Sequence, residues 1–168
     1  GDTLFLCQNV PLFYRCLSPF WYNRSKEVLE GVENMGESNF SFLAEKWGIL
    51  ANLGETAERN VFIDPNTTLM KLRVFAETLT KYVLAYEEIK ETYDTKQTDR
   101  INVLKREDLI TQELEDILDT IRKMGNKASH EGYGTEKEAK ALLHMASRLA
   151  VWFMQVYGDW DFEEPAYK

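Results

Sequence analysis

A chain of 168 residues, 44% hydrophobic and 29% charged, has the length and composition of one globular domain able to bury its own core. Its formal net charge of -8 repels nucleic acid and anionic membranes on average, so contact with either needs a local basic patch. Cys7 and Cys16 form neither a CxxC pair nor a Cys/His cluster of zinc spacing, which argues against a metal site and fits a reducing cytoplasm, and no apolar run reaches the roughly 18 residues that span a bilayer.

Residues 1–34 are apolar and aromatic in two stretches, but Arg15 interrupts them, no basic segment precedes them and no small-x-small cleavage site follows. That pattern argues against a signal peptide. The domain is expected to begin near Met35 and to run over 35–168. The upstream stretch is then an extension, either foreign to the fold or packed on it through Phe13, Phe20 and Trp21.

The first helix is expected from Ser38 or Asn39, either of which can cap it. Phe42, Leu43, Trp47, Leu50, Leu53, Ala57 and Val61 follow at helical steps. Gly48 and Gly54 weaken this helix or admit a close neighbour. Asp64-Pro65 is the clearest punctuation: Asp64 can accept a backbone N–H as N-cap, and proline fits the first helical position, where no donor is needed. The second helix is predicted to reach about Lys90, with Leu69, Leu72, Phe75 or Ala76, Leu79 and Val83 as its stripe.

Glu91 to Arg100 is polar and aperiodic, a connection. Ile101, Val103 and Leu104 then form a short helix or an extended anchor. Asp108 or Thr111 opens a third main helix with the stripe Leu114, Ile117, Leu118, Ile121 and Met124, expected to fray or bend between Gly125 and Gly134. Thr135, with Glu138 three residues on, starts the last helix as a capping box. Ala139, Leu142, Leu143, Ala146, Leu149, Ala150, Phe153 and Tyr157 form the strongest periodic signal, and Gly158 is the expected stop. The acidic, aromatic tail from Trp160 to Lys168 is expected to fold back. These segments predict an all-α, up-down bundle of about four main helices.

The chain lacks a GxxxxGK[ST] loop, an HExxH and a GxSxG, and Gly132-Tyr133-Gly134 lacks the strand and third glycine of a dinucleotide site. No cofactor and no metal are implied. Arg122, Asn126 and His130 fall within roughly 80° on one helix face. A guanidinium could hold a phosphate there and an imidazole could move a proton. The structural alternative has Asn126 and His130 satisfying carbonyls at the helix end, and Arg122 pairing with a carboxylate such as Glu77. Arg73 and Glu77 at i, i+4 form either a half-buried ion pair that fixes register or a weak surface pair. His144 reads as packing or surface. Trp152 sits off the stripe of its helix and is a candidate partner-facing or dimer-facing residue.

Several stretches together resemble a known family: Ser38-Asn39-Phe40-Ser41-Phe42-Leu43, Leu53-Gly54-Glu55-Thr56-Ala57-Glu58, Asp64-Pro65 with Lys71 to Glu77, Ile121-Arg122 with Gly125 to Gly132, and Ala150-Val151-Trp152-Phe153 with Tyr157-Gly158. In order and spacing they are similar to the helical domain of unknown function at the amino terminus of many type I restriction R subunits and related helicases. The resemblance implies an accessory domain in restriction or phage defence, without the nuclease and ATP-driven motor of the ATP-dependent parent enzyme. Its partners would be restriction-modification subunits, the motor or nucleic acid. The chain also resembles, distantly, the HEPN group of helical bundles, whose active members cleave RNA with Arg, a polar residue and His, often as dimers. Asn126 and His130 match that pattern. Gly125 stands where the arginine is expected, and Arg122 lies one turn earlier. The resemblance thus offers a metal-independent ribonuclease as the alternative to a non-catalytic docking domain.

Overall fold

Helix boundaries in this chain are set by a few polar side chains. The computed structural model describes residues 38–168 as the unit Ser38–Lys168. The expected extension 1–34, the start at Met35 and the residues Cys7, Cys16, Phe13, Phe20 and Trp21 lie outside the described residues. A 3-10 turn at Ser41–Leu43 precedes α1 (Gly48–Asn60), α2 (Pro65–Tyr86), α3 (Gln97–Arg106), α4 (Gln112–Glu131) and α5 (Glu136–Tyr157). No strand occurs among the described residues. The all-α class holds, with α3 as a short helix beside four longer ones.

The start of the first helix differs from expectation. Ser38 and Asn39 do not cap it; both turn back to Glu58 on α1, with Ser38 Oγ 2.5 Å and Asn39 Nδ2 2.6 Å from the carboxylate. The 3-10 turn intervenes, and α1 begins only at Gly48. A Cβ at Gly48 would meet nothing, whereas one at Gly54 would come within 2.6 Å of the Phe40 ring, so Gly54 alone admits the close neighbour.

The Asp64-Pro65 start appears as expected: the Asp64 carboxylate accepts the Thr67 N–H at 3.2 Å and Pro65 opens α2. Thr111 caps α4 through the Leu114 N–H, and Thr135 caps α5 through the Glu138 N–H. The second helix stops at Tyr86 instead of Lys90. Glu88 turns left-handed at φ 56°, and the Ile89 N–H returns to the Leu84 carbonyl at 2.9 Å. This is a Schellman stop made without glycine. The end of α3 repeats it, with Asp108 at φ 53° and the Leu109 N–H on the Leu104 carbonyl at 2.9 Å. Helix α4 does not fray at Gly125. It continues to Glu131 and ends where Gly132 turns left-handed at φ 62°.

Helix α2 packs against α1, α3, α4 and α5 and so occupies the centre. Phe40, Leu50, Leu69, Leu72, Phe75, Leu79, Leu118, Ile121 and Phe153 are fully buried around it, Phe40 edge-on to Phe75. Burying large apolar side chains at about 1.5–3 kcal/mol each drives the assembly of the bundle. The tail folds back: Phe162 meets the Phe42 ring at 5.1 Å and Tyr167 meets His144 edge-on at 5.0 Å.

Candidate functional site

The segment singled out by its polar spacing forms the face of α4 beside α2. The two helices run antiparallel, since Asn66 reaches Ala128 while Arg73, two turns further along α2, packs on Gly125. Arg122 is half-buried and does not pair with Glu77. Its Nε and Nη2 both donate to Asp119 Oδ1, at 3.0 and 2.6 Å, and Lys123 Nζ lies 2.6 Å from Oδ2. Hydrogen bonds from Lys123 and then Arg122 hold the Asp119 carboxyl below its ordinary range.

Glu77 is taken by Arg73, whose Nε donates to Oε1 at 2.9 Å. With side-chain exposures of 33% and 27%, this is the half-buried form of the pair. Gly125 explains how the pair reaches the seam. A Cβ added there would lie 2.9 Å from Arg73 Cδ and 3.0 Å from Cγ. Arginine is expected at this position only from the distant HEPN resemblance. A glycine here instead lets an arginine stem from the neighbouring helix lie across the backbone.

Asn126 is half-buried and His130 is exposed. Neither takes the helix-end carbonyls expected for it, and no hydrogen bond or ion pair holds either side chain among the described residues. Asn66, at the start of α2, performs that task. Its Nδ2 donates to the carbonyls of Ala128, at 2.8 Å, and Tyr133, at 2.7 Å. A Cβ at Gly134 would come within 2.7 Å of the Asn66 nitrogen, so the Gly132–Gly134 turn lies directly on the first turn of α2. Lys127 Nζ sits 3.4 Å over the Tyr133 ring, and the Tyr133 hydroxyl donates to Glu138. That hydrogen bond pushes the Tyr133 phenol up and the Glu138 carboxyl down. Sequence reasoning missed Asn66, because a residue after Asp-Pro reads as helix start and its long-range partners carry no local signal.

Trp152 lies apart from this seam. It is half-buried and edge-on to Tyr157, with ring centroids 6.1 Å apart. Tyr157 stacks on Tyr86 at 5.3 Å and donates to Glu87 at 2.7 Å. Burial, then the Glu87 carboxylate, push the Tyr157 phenol well above its ordinary value. Val156, one turn beyond Trp152, is 57% exposed, so the C-terminal ends of α2 and α5 present an aromatic, apolar patch. His144 is a surface residue covered in part by Tyr167. Among the described residues no group of three or more His, Cys, Asp or Glu could hold a metal ion, and no helix is long and apolar enough to cross a membrane.

The family described as a domain of unknown function, DUF4145, matches residues 55–166. The Type I restriction enzyme EcoKI endonuclease subunit of Escherichia coli strain K12 is 31% identical over 134 residues, which cover 79% of this chain and 11% of that protein. The chain thus corresponds to about a tenth of the length of that relative. No solved structure matches the chain.

Proposed function

Because this chain belongs to the DUF4145 family, we propose that it is a non-catalytic accessory domain of a type I restriction system, docking partner subunits or the motor of the same machinery. The observation that carries this reading is the closure of its two seam arginines. Arg122 is tied to Asp119 and Arg73 to Glu77, each within its own helix, so both guanidiniums beside the α2–α4 seam are engaged by carboxylates. On this reading residues 35–168 are the domain, 1–34 an extension, and the setting is the cytoplasm of a cell that restricts phage DNA. Trp152 is the anchor for docking, since a half-buried tryptophan beside an exposed apolar neighbour has the character of an interface hot spot.

Capture of purified methyltransferase, specificity and motor polypeptides by the full chain tests the proposal. Saturable binding to one of them is expected, weakened about ten-fold or more by Trp152→Ala, a loss of at least ~1.4 kcal/mol. Binding to none of them removes the reading. Light scattering of the chain alone separates this from a homodimer formed through the same patch.

A second reading, a HEPN-type metal-independent ribonuclease, has one observation in its favour. Asn126 and His130 stand one turn apart on α4, their side chains without a hydrogen bond or ion pair among the described residues, and Arg122 lies one turn before them. RNA degradation by the purified chain in the presence of a chelator, abolished by His130→Ala, would establish it in place of the docking role.

A further inference from the structure

Two left-handed residues that are not glycine bracket one helix. Glu88, at φ 56°, precedes α3 and Asp108, at φ 53°, follows it, and no other non-glycine residue among those described has a positive φ. Each sits under a bond that returns to the helix before it: the Ile89 N–H donates to the Leu84 carbonyl and the Leu109 N–H to the Leu104 carbonyl, both at 2.9 Å. Such strain persists only where the surrounding structure enforces it.

The segment 88–108 keeps its polar bonds largely to itself. Arg100 Nε donates to Glu91 at 2.5 Å, the Lys96 N–H to Asp99 at 2.9 Å and the Thr92 hydroxyl to Asp94 at 2.8 Å. Apart from the backbone turns at its two ends, two side-chain ties leave it: Thr80 with Gln97, and Lys105 with Glu115 at 2.9 Å. No residue of the segment has a further hydrogen bond or ion pair outside it. Its apolar hold is small as well. Ile101 and Leu104 are the buried apolar side chains of α3, where α2 buries Leu69, Leu72, Phe75, Leu79, Val83 and Leu84.

The tie to α2 is short of partners. Thr80 has one hydroxyl hydrogen and two acceptors in reach, the Glu77 carbonyl at 2.9 Å and Gln97 Oε1 at 3.0 Å. Gln97 Nε2 is buried with no hydrogen-bond partner among the described residues. A buried amide without an acceptor has given up its hydration and gained nothing in return.

We propose that residues 88–108 form a flap that swings off α2 and α4 as one unit about Glu88 and Asp108, with Gln97 as its release point. Opening relaxes both left-handed residues and returns the Gln97 amide to water. It keeps the bonds internal to the segment and uncovers the faces of α2 and α4 against which α3 packs.

Native-state hydrogen exchange of the full chain in low urea, followed residue by residue by NMR, tests the flap. The amides of Ile101 to Lys105 are expected to exchange through one common opening. That opening should be about ten-fold or more frequent than the one that exposes Leu72 to Leu79, with a weaker urea dependence. The Ile89 and Leu109 amides, bonded across the two hinges, should exchange through the same opening. Exchange of α3 in step with α2 would overturn the proposal, because α3 would then be part of the core. Graded rates along α3 with no common urea dependence would overturn it too, as would Ile89 and Leu109 amides that stay protected while α3 exchanges. Gln97→Leu replaces the unpartnered amide with an apolar side chain and leaves Thr80 its bond to the Glu77 carbonyl. It should slow the common exchange about five-fold or more. An unchanged or faster exchange in that variant, at native helical signal, would remove Gln97 as the release point. No partner takes part in these measurements, so the flap and the docking role fail separately.

Discussion

The side chain of Arg73 lies across the backbone of Gly125, its Cδ 2.9 Å from where a Cβ would stand. Helix α4 therefore meets α2 backbone-first at this level, and the arginine stem fills the space before its Nε turns to Glu77. Glycine inside a helix costs about 0.5–1 kcal/mol relative to alanine, so on propensity alone Gly125→Ala would stabilise. The collision outweighs that gain. Overpacking a tight contact costs about 1–3 kcal/mol, and a net loss of roughly 1 kcal/mol is expected in urea denaturation. The nearest obstacle is the Arg73 Cβ itself, which Arg73→Ala retains, so the same substitution stays destabilising in that background, whereas in the Arg73→Gly background it becomes neutral or stabilising, a coupling visible in a double-mutant cycle. Additive effects would mean that the two residues do not meet.

Asn66 ties the opposite end of the same seam. Its amide donates to two carbonyls, Ala128 at the end of α4 and Tyr133 in the turn beyond. Asn66→Ala leaves both acceptors without this donor and is expected to cost about 1–3 kcal/mol. Asn66→Asp keeps the shape but supplies only acceptors, so it should cost more than the alanine. Thermal unfolding of the three chains gives the order; an aspartate variant as stable as the native chain would show that the amide is not the tie.

The contrast between Asn66 and Asp64 marks what the sequence makes legible. Asp64 acts on an N–H three residues away, and its neighbour Pro65 announces the helix start. The stripes from Leu69 to Val83 and from Ala139 to Phe153 were equally readable, because burial repeats with the period of the helix. Asn66 acts across 62 and 67 residues, where no local pattern reaches. Within the stretch Gly125 to Gly134, where the helix was expected to fray or bend, it ends at Gly132, while Gly125 stays helical and admits Arg73 from another helix, which no local pattern reveals. Ser38 and Asn39 are good caps by type, yet Glu58 and the Lys168 main chain take their polar groups instead. In the candidate site the helix face was readable, but the choice of Asp119 over Glu77 as the partner of Arg122 was decided by tertiary packing.

The two left-handed helix stops were also invisible, since glycine is absent from both. Glu88 and Asp108 adopt φ 56° and 53°. A side chain in that region costs about 1–2 kcal/mol, part of which glycine returns through its greater freedom in the unfolded chain. Glu88→Gly and Asp108→Gly are each expected to stabilise by roughly 0.5–1 kcal/mol, and to do so additively because they end different helices. Urea midpoints that fall in either variant would show that the carboxylate side chain contributes more than the backbone strain costs.

Asp119 gives the seam an acid dependence of definite sign. Hydrogen bonds from Lys123 and then Arg122 lower its pKa from the ordinary 3.8. A carboxyl with a depressed folded-state pKa contributes stability that is fully present above its unfolded value and is lost as pH falls through the folded one. At pH 7 Asp119→Asn should therefore be less stable than the native chain, and the deficit should shrink below pH about 4 and vanish once both states are protonated. At 34% side-chain exposure water screens much of the pairing, so the effect should be modest and should fall further as salt is raised. Lys123→Ala and Arg122→Ala should each raise the Asp119 pKa, which carboxyl titration by NMR checks. A deficit in Asp119→Asn that persists unchanged at pH 2 would show that the residue acts through packing and not through its charge.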